Sequence, residues 1–160
     1  MKGPAASPFE DSKASPADLS KRAARRLIQR AFVLAGRDRV VHQHIREAHL
    51  TTLWILEDWN LEWTLVLNRG KVAFERRPAK NPDLILTWDS ASAFFSHVEG
   101  ATRARGWPSG TASETDAQSM FRLTGDSSLR KILEPVYYAF CAALRDVLAN
   151  PVDENGDPLV

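Results

Sequence analysis

The sequence has 160 residues, 44% of them hydrophobic and 26% charged, with a formal net charge of +1. That length suits one domain with a real core, and the near-neutral charge gives no electrostatic reason to expect a nucleic-acid partner. No apolar run approaches the roughly 18 residues of a membrane helix, and Lys2 is not followed by the apolar stretch of a signal peptide. The single cysteine, Cys141, allows no internal disulfide and suits a reducing, cytoplasmic setting.

Residues 1–14, MKGPAASPFEDSKA, are rich in Pro, Ser, Ala and charge and predict a disordered tail. A basic helix is expected over 16–35, with Ser15 as cap, Pro16 at its first position and Gly36 as a left-handed stop. Leu19, Ala23, Leu27, Ala31 and Leu34 would form its apolar face, and Lys21, Arg22, Arg25, Arg26 and Arg30 its basic one. That basic face reads either as solvated surface or as a peripheral contact with an anionic membrane. Val40 to Leu50 fits a helix or a strand, and Leu50 to Leu56 a strand rich in Thr, Leu, Ile and Trp. After the turn Asp58-Trp59-Asn60, LEWTLVL alternates, with Leu61, Trp63, Leu65 and Leu67 on one face. Asn68-Arg69-Gly70 marks a hairpin, and KVAFER returns with Val72 and Phe74 on the same side. DLILTW is a fourth strand, followed by a short helix, SASAFFSHVEG, capped by Ser90 and stopped by Gly100. The polar stretch 101–119 reads as a long surface loop, in which Trp107 is either a local anchor or a membrane or partner contact. SMFRLT is a fifth strand.

In the last helix Leu129, Leu133, Val136, Phe140, Leu144 and Val147 form a stripe at helical spacing. Ile132, Tyr137, Ala139 and Ala143 widen it beyond what a surface helix needs. Pro135 lies inside, which predicts a kink or break near residue 134. Residues 136–148 are then either a movable cover or a static, kinked packing element. Residues 149–160 read as a flexible tail.

The inventory for chemistry is thin. His42 and His44 would share a face if their segment were a strand, but His49 would oppose them and nothing completes a metal set. His97 and Cys141 are the types of a nucleophile–base pair, without local support for one. Glu57, Asp58 and Glu62 flank a turn and read as solvated. There is no phosphate loop and no dinucleotide fingerprint. Trp54, Trp63 and Trp88 fall in strands and read as core or cavity wall. No catalytic residue, metal or cofactor is therefore expected. The apolar inventory is large and points to a hydrophobic ligand.

Three segments together resemble the sterol-carrier-protein type 2 family: LEWTLVLNRGKVAF, PDLILTWDSASAFFSHVEG and FRLTGDSSLRKIL. Asp83, Phe94 or Phe95, Gly100, Gly125 and Asp126 occupy the places that match the family pattern. The glycine usual before the last strand is replaced here by Ser119 and Met120, and the loop 101–119 is longer than usual. The hairpin also looks like that of the accessory factors of bacterial ubiquinone biosynthesis. It looks similar too to the C-terminal domain of alkylsulfatases, whose metal-binding histidine cluster this chain lacks.

The resemblance implies an α/β (α+β) domain over 15–148, with a single five-stranded mixed sheet and helices on one face enclosing an apolar cavity. The expected ligand is a sterol, fatty acyl or isoprenoid lipid. Leu65, Leu67, Phe74, Trp88, Phe94, Phe95, Val136, Tyr137 and Phe140, where the apolar faces converge, are expected to line one enclosed pocket. The alternatives are a homodimer or scaffold using the same apolar surface, or an accessory factor of a lipid-modifying complex such as ubiquinone biosynthesis.

Overall fold

A computed structural model of the chain describes residues 19–100 and 121–159. The expected tail 1–14, the cap at Ser15 and Pro16, and the loop 101–119 with Trp107 lie outside these residues. Helices α1 (Lys21–Gly36) and α2 (Arg39–His44) precede strand β1 (His49–Leu56) and a 3-10 turn, Glu57–Trp59. The hairpin β2 (Leu61–Asn68) and β3 (Lys71–Glu75) follows, then β4 (Leu84–Trp88), α3 (Ala91–Gly100) and β5 (Phe121–Gly125). A second 3-10 turn, Ser127–Leu129, leads into α4 (Arg130–Ala149). The strands form one five-stranded sheet in the order β3-β2-β1-β4-β5. β1 and β4 run parallel and every other neighbouring pair antiparallel, so the sheet is mixed, as expected.

The period of two places the core. Leu50, Thr52, Trp54 and Leu56 of β1 share a face with Leu61, Trp63, Leu65 and Leu67 of β2 and with Leu84, Leu86 and Trp88 of β4. All of these are buried. Onto that face pack Leu27, Ile28, Ala31 and Phe32 of α1 and Leu133, Val136, Tyr137 and Phe140 of α4. The opposite face is mixed, with Ile55, Glu62, Val66 and Ile85 half-buried.

α1 differs from expectation at both ends. Ser20 caps it, its hydroxyl accepting from the Ala23 amide at 3.1 Å. Gly36 is helical rather than left-handed, and its value is proximity: a Cβ there would lie 3.3 Å from Val72 Cβ on β3. The buried stripe is Ala24, Leu27, Ile28, Ala31, Phe32 and Ala35, while Leu19, Ala23 and Leu34 are half-buried. The bulk of Ile28 and Phe32 turns the helix by about one position. The open choice for residues 39–44 resolves as helix, because the Asp38 carboxylate accepts from the amides of Val40 and Val41.

The hairpin tip places Arg69 (φ 49°) and Gly70 (φ 91°) in the left-handed region, which suits strand twist in a two-residue connection. Their amides bond Ala48 and Ile45 carbonyls, tying the tip to the segment before β1. Gly125 (φ 117°) closes against β4: a Cβ there would lie 2.3 Å from the Asp83 carbonyl oxygen. Asp83 in turn pairs with Thr51 of β1, donating its amide to the Thr51 carbonyl and accepting the Thr51 amide on its carboxylate. Asp126 accepts from the Ser128 hydroxyl and amide, which hold its carboxyl below the ordinary range and shape the turn into α4.

The segment expected to be a flexible tail is packed in part. Val152 bridges Pro158, Pro151 and Leu159 are buried, and Glu154 reaches Arg30 and Arg37 of the α1 region. Leu159 supplies the apolar contact that a tail reading overlooks.

Candidate ligand-binding site

Three tryptophans cross the sheet side by side. Trp54 lies 5.8 Å from Trp63 and 5.7 Å from Trp88, centroid to centroid, with near-parallel planes. The helices add rings from above. Phe140 of α4 stacks on Phe32 of α1 at 3.9 Å and meets Trp54 edge-on at 5.7 Å. Phe94 of α3 stands edge-on to Trp88 at 5.0 Å and to Trp63 at 5.9 Å.

The structure gathers the expected site residues into one cluster. Leu65, Leu67, Trp88, Phe94, Val136, Tyr137 and Phe140 are fully buried, Phe95 nearly so, and Phe74 half-buried against them. Phe95 lies between Trp59 at 6.3 Å and Phe94 at 5.2 Å, edge-on to both, and so joins the cluster at its margin. The centre itself is Trp54 with Phe32; Trp54 was expected as core or cavity wall but not placed among the pocket-lining residues, and Phe32 stood in neither set. Trp54 was legible as the direct cross-strand partner of Trp63; Phe32 sits on a helix whose apolar face was read one position off.

Polar atoms in this layer are few. Trp54 Nε1 donates to Thr52 Oγ1 at 2.8 Å, and that hydroxyl donates to the Leu65 carbonyl at 2.9 Å. Trp88 Nε1 donates to His97 Nδ1 at 2.8 Å. An indole N–H only donates, so Nδ1 carries a lone pair and the imidazole is neutral. Burial agrees, lowering the His97 pKa below its ordinary value. Trp63 Nε1 differs from its two neighbours: it is buried and has no acceptor among the described residues. Such an orphan donor costs about 1–3 kcal/mol.

The residues considered for chemistry are otherwise employed. Burial pushes the Cys141 thiol up to about 12, so it stays protonated and lacks the thiolate a nucleophile needs. The helix turns His42 and His44 to different partners. His42 Nδ1 donates to the Gly70 carbonyl at 2.9 Å and His44 Nε2 to the Lys131 carbonyl at 3.2 Å. The second bond accounts for Pro135. α4 runs unbroken from Arg130 to Ala149 through that proline, which has no amide for the carbonyl four residues back, Lys131. His44 of α2 supplies the missing donor. Among the described residues no three His, Cys, Asp or Glu side chains gather as a metal site.

No protein-family model matches the sequence, and no curated protein aligns with it. Solved structures do. The conserved hypothetical protein TT1886 from Thermus thermophilus, a candidate sterol carrier protein, superposes with a TM-score of 0.56 and 12% identity over 85% of this chain and 94% of its own. Sterol carrier protein 2 superposes with a TM-score of 0.50 and 8% identity, over 75% of this chain and 94% of its own. This is the sterol-carrier-protein-2 fold. The ubiquinone synthesis protein UbiJ-SCP2 aligns at 16% identity over 73% of this chain and 87% of its own, with a TM-score of 0.45. The inverting sec-alkylsulfatase Pisa1 from Pseudomonas sp. aligns at 14% identity and a TM-score of 0.41 over 57% of this chain, which spans 13% of that enzyme's length. In the sterol-carrier-protein-2 fold, the tryptophan layer of this chain lies between the sheet and the helices.

Proposed function

We propose that the chain is a cytoplasmic binding protein that carries or presents a hydrophobic ligand, a sterol, fatty acyl or isoprenoid lipid, without converting it. The observation that carries this reading is the aromatic layer itself. Trp63, Trp54 and Trp88 form an apolar floor, and Phe32, Phe94 and Phe140 an apolar roof, within a fold it shares with sterol carrier protein 2. Leu65, Leu67, Phe74, Phe95, Val136 and Tyr137 complete the lining. A ligand entering here parts rings that otherwise touch one another, and replaces ring–ring contacts with ring–lipid contacts of similar apolar area. Uptake and release at a membrane would use the basic turns of α1; among the described residues no helix is long and apolar enough to cross one.

Native mass spectrometry of the purified chain, followed by lipid extraction and by titration with a fluorescent fatty acid, tests the reading. A co-purifying lipid, or saturable uptake with energy transfer from the tryptophans, is the expected result. A ligand-free homodimer that takes up no fatty acid, sterol or isoprenoid would assign the apolar surface to self-association instead.

A further inference from the structure

The first two turns of α1 and the end of β3 frame an open cleft of about 570 Å3, lined by Lys21, Arg22, Arg25, Arg26 and Arg76. All five side chains are cationic and none of the lining residues is an acid. Outside the cleft, four arginines find carboxylates: Arg30 and Arg37 reach Glu154, Arg122 bridges Glu57 and Asp89, and Arg130 pairs with Glu134, while Arg39, Arg46, Arg69 and Arg77 form no ion pair among the described residues. Around the cleft, Arg22, Arg25, Arg26 and Arg76 form no ion pair among the described residues. Arg25 Nε is buried and has no hydrogen-bond partner there either. Unbalanced like charges at such spacing repel one another, and a bound anion reverses that cost. The position is also specific. Pairing of β2 with β3 ends at Thr64 with Glu75, so Trp63 and Arg76 are the next residues on the two strands. The cleft therefore lies at the end of the hairpin where Arg76 follows β3 and, one position along β2 from the last pair, the buried Trp63 begins the tryptophan floor; Trp63 itself does not line the cleft.

We propose that this cleft is an anion site that holds the phosphate or carboxylate headgroup of the carried amphiphile, whose apolar body lies on the tryptophan floor. The proposal rests on the carrier reading and names the class of its ligand: a single-headed anionic amphiphile rather than a neutral sterol. Guanidinium groups suit the task because each presents paired N–H donors to two oxygens of one headgroup.

The test titrates the full chain calorimetrically with decyl phosphate and with decanol, each below its aggregation concentration. Both ligands are then titrated into an Arg25→Gln/Arg76→Gln variant whose fold is checked by circular dichroism. The phosphate should bind at least about tenfold more tightly than the alcohol, equivalent to 1.4 kcal/mol. The variant should lose that preference while keeping its decanol affinity, and added salt should shrink the preference in the parent chain. Equal affinities, or a preference that survives in the variant, overturn the anion site and leave the carrier reading standing. Failure of both ligands to bind overturns both. Binding to phosphatidylglycerol vesicles that needs the same arginines, without preference between the soluble ligands, also overturns the anion site and assigns these cations to a membrane surface.

Discussion

Phe140→Ala measures how tightly the candidate site is closed. Phe140 is fully buried where α1, α3, α4 and the sheet converge: on Phe32 at 3.9 Å, against Trp54 at 5.7 Å and beside Phe94 at 6.1 Å. A buried phenylalanine removes on the order of 150 Å2 from water. Truncation to alanine forfeits about 100 Å2 of that, or about 2.5 kcal/mol at ~25 cal/mol per Å2. If Phe32, Trp54 and Phe94 hold their places, the void is on the order of 80 Å3 and adds about 2 kcal/mol. The expected loss is therefore about 4 kcal/mol, a large part of the ~5–15 kcal/mol that holds a domain together. Urea unfolding followed by tryptophan fluorescence and by far-ultraviolet circular dichroism gives the number. The variant should also gain more stability than the parent from a saturating short-chain lipid, because the void supplies part of the room the ligand otherwise has to open. A loss below about 1 kcal/mol refutes the reasoning: the ring would then already border empty space, and the site would be preformed.

Three further outcomes are expected. Burial lowers the His97 pKa from its ordinary 6.5, so the unfolded chain takes up that proton first; stability from this group is full above about pH 6.5 and falls as pH drops towards the folded value. His97→Asn, which keeps an acceptor for Trp88 Nε1, should flatten that part of the pH–stability profile, and an unchanged profile would sink the assignment. Trp54→Phe breaks the bond to Thr52 Oγ1 and should cost about 1–3 kcal/mol more than Trp63→Phe, which removes an indole donor already without a partner; equal losses in urea would contradict the contrast. His44→Ala should cost about 0.5–1.5 kcal/mol in the parent chain but little in Pro135→Ala, where the new amide serves Lys131; additive effects in a double-mutant cycle would rule out the shared carbonyl.

The sheet was legible because its signals are local. LEWTLVL alternates over seven residues, and a two-residue turn follows with glycine at its second place, so both strands and their facing sides follow from sequence. α2 was not legible as helix because six residues make under two turns, too few for periodicity to separate helix from strand. Its one local signal was Asp38, which caps two amides. The converging set Trp88, Phe94, Val136, Tyr137 and Phe140 followed from facing patterns on single elements. Trp54 was legible in sequence as core or cavity wall, whereas Phe32, stacked on Phe140 at the centre, needed the tertiary arrangement of α1 over β1. So did the bond from His44 to Lys131, which joins residues 87 apart and turns an isolated histidine and an awkward proline into one structural device. The basic cleft is a case between these. Four of its five cations were visible on one helix face, but Arg76 comes from the far side of the hairpin.

The same packing bears on how a ligand would reach the layer. Residues 136–148 of α4, expected as a movable cover or a static element, carry Val136, Tyr137, Phe140, Cys141, Leu144, Val147 and Leu148, all buried. At about 1.5–3 kcal/mol for each large apolar side chain, lifting that segment would cost on the order of 10 kcal/mol or more. That is comparable with the stability of a whole domain, so the motion would be unfolding rather than gating. The first two turns of α1 are a different case. Between Lys21 and Arg26 only Ala24 is buried. The turn is tied at its start by a hydrogen bond from Lys21 Nζ to the Asn60 carbonyl, an exposed contact that water can replace at little cost. Its four cations repel one another, which favours opening until an anion arrives. Fraying there would loosen α1 beside Arg76, the position that follows the last β2–β3 pair, while the α4 roof stays seated. Native-state hydrogen exchange separates the two routes. Amides of 22–26 should exchange well before those of 136–148 in the ligand-free chain and slow when decyl phosphate is added; protection changes confined to 136–148 would instead make α4 the gate.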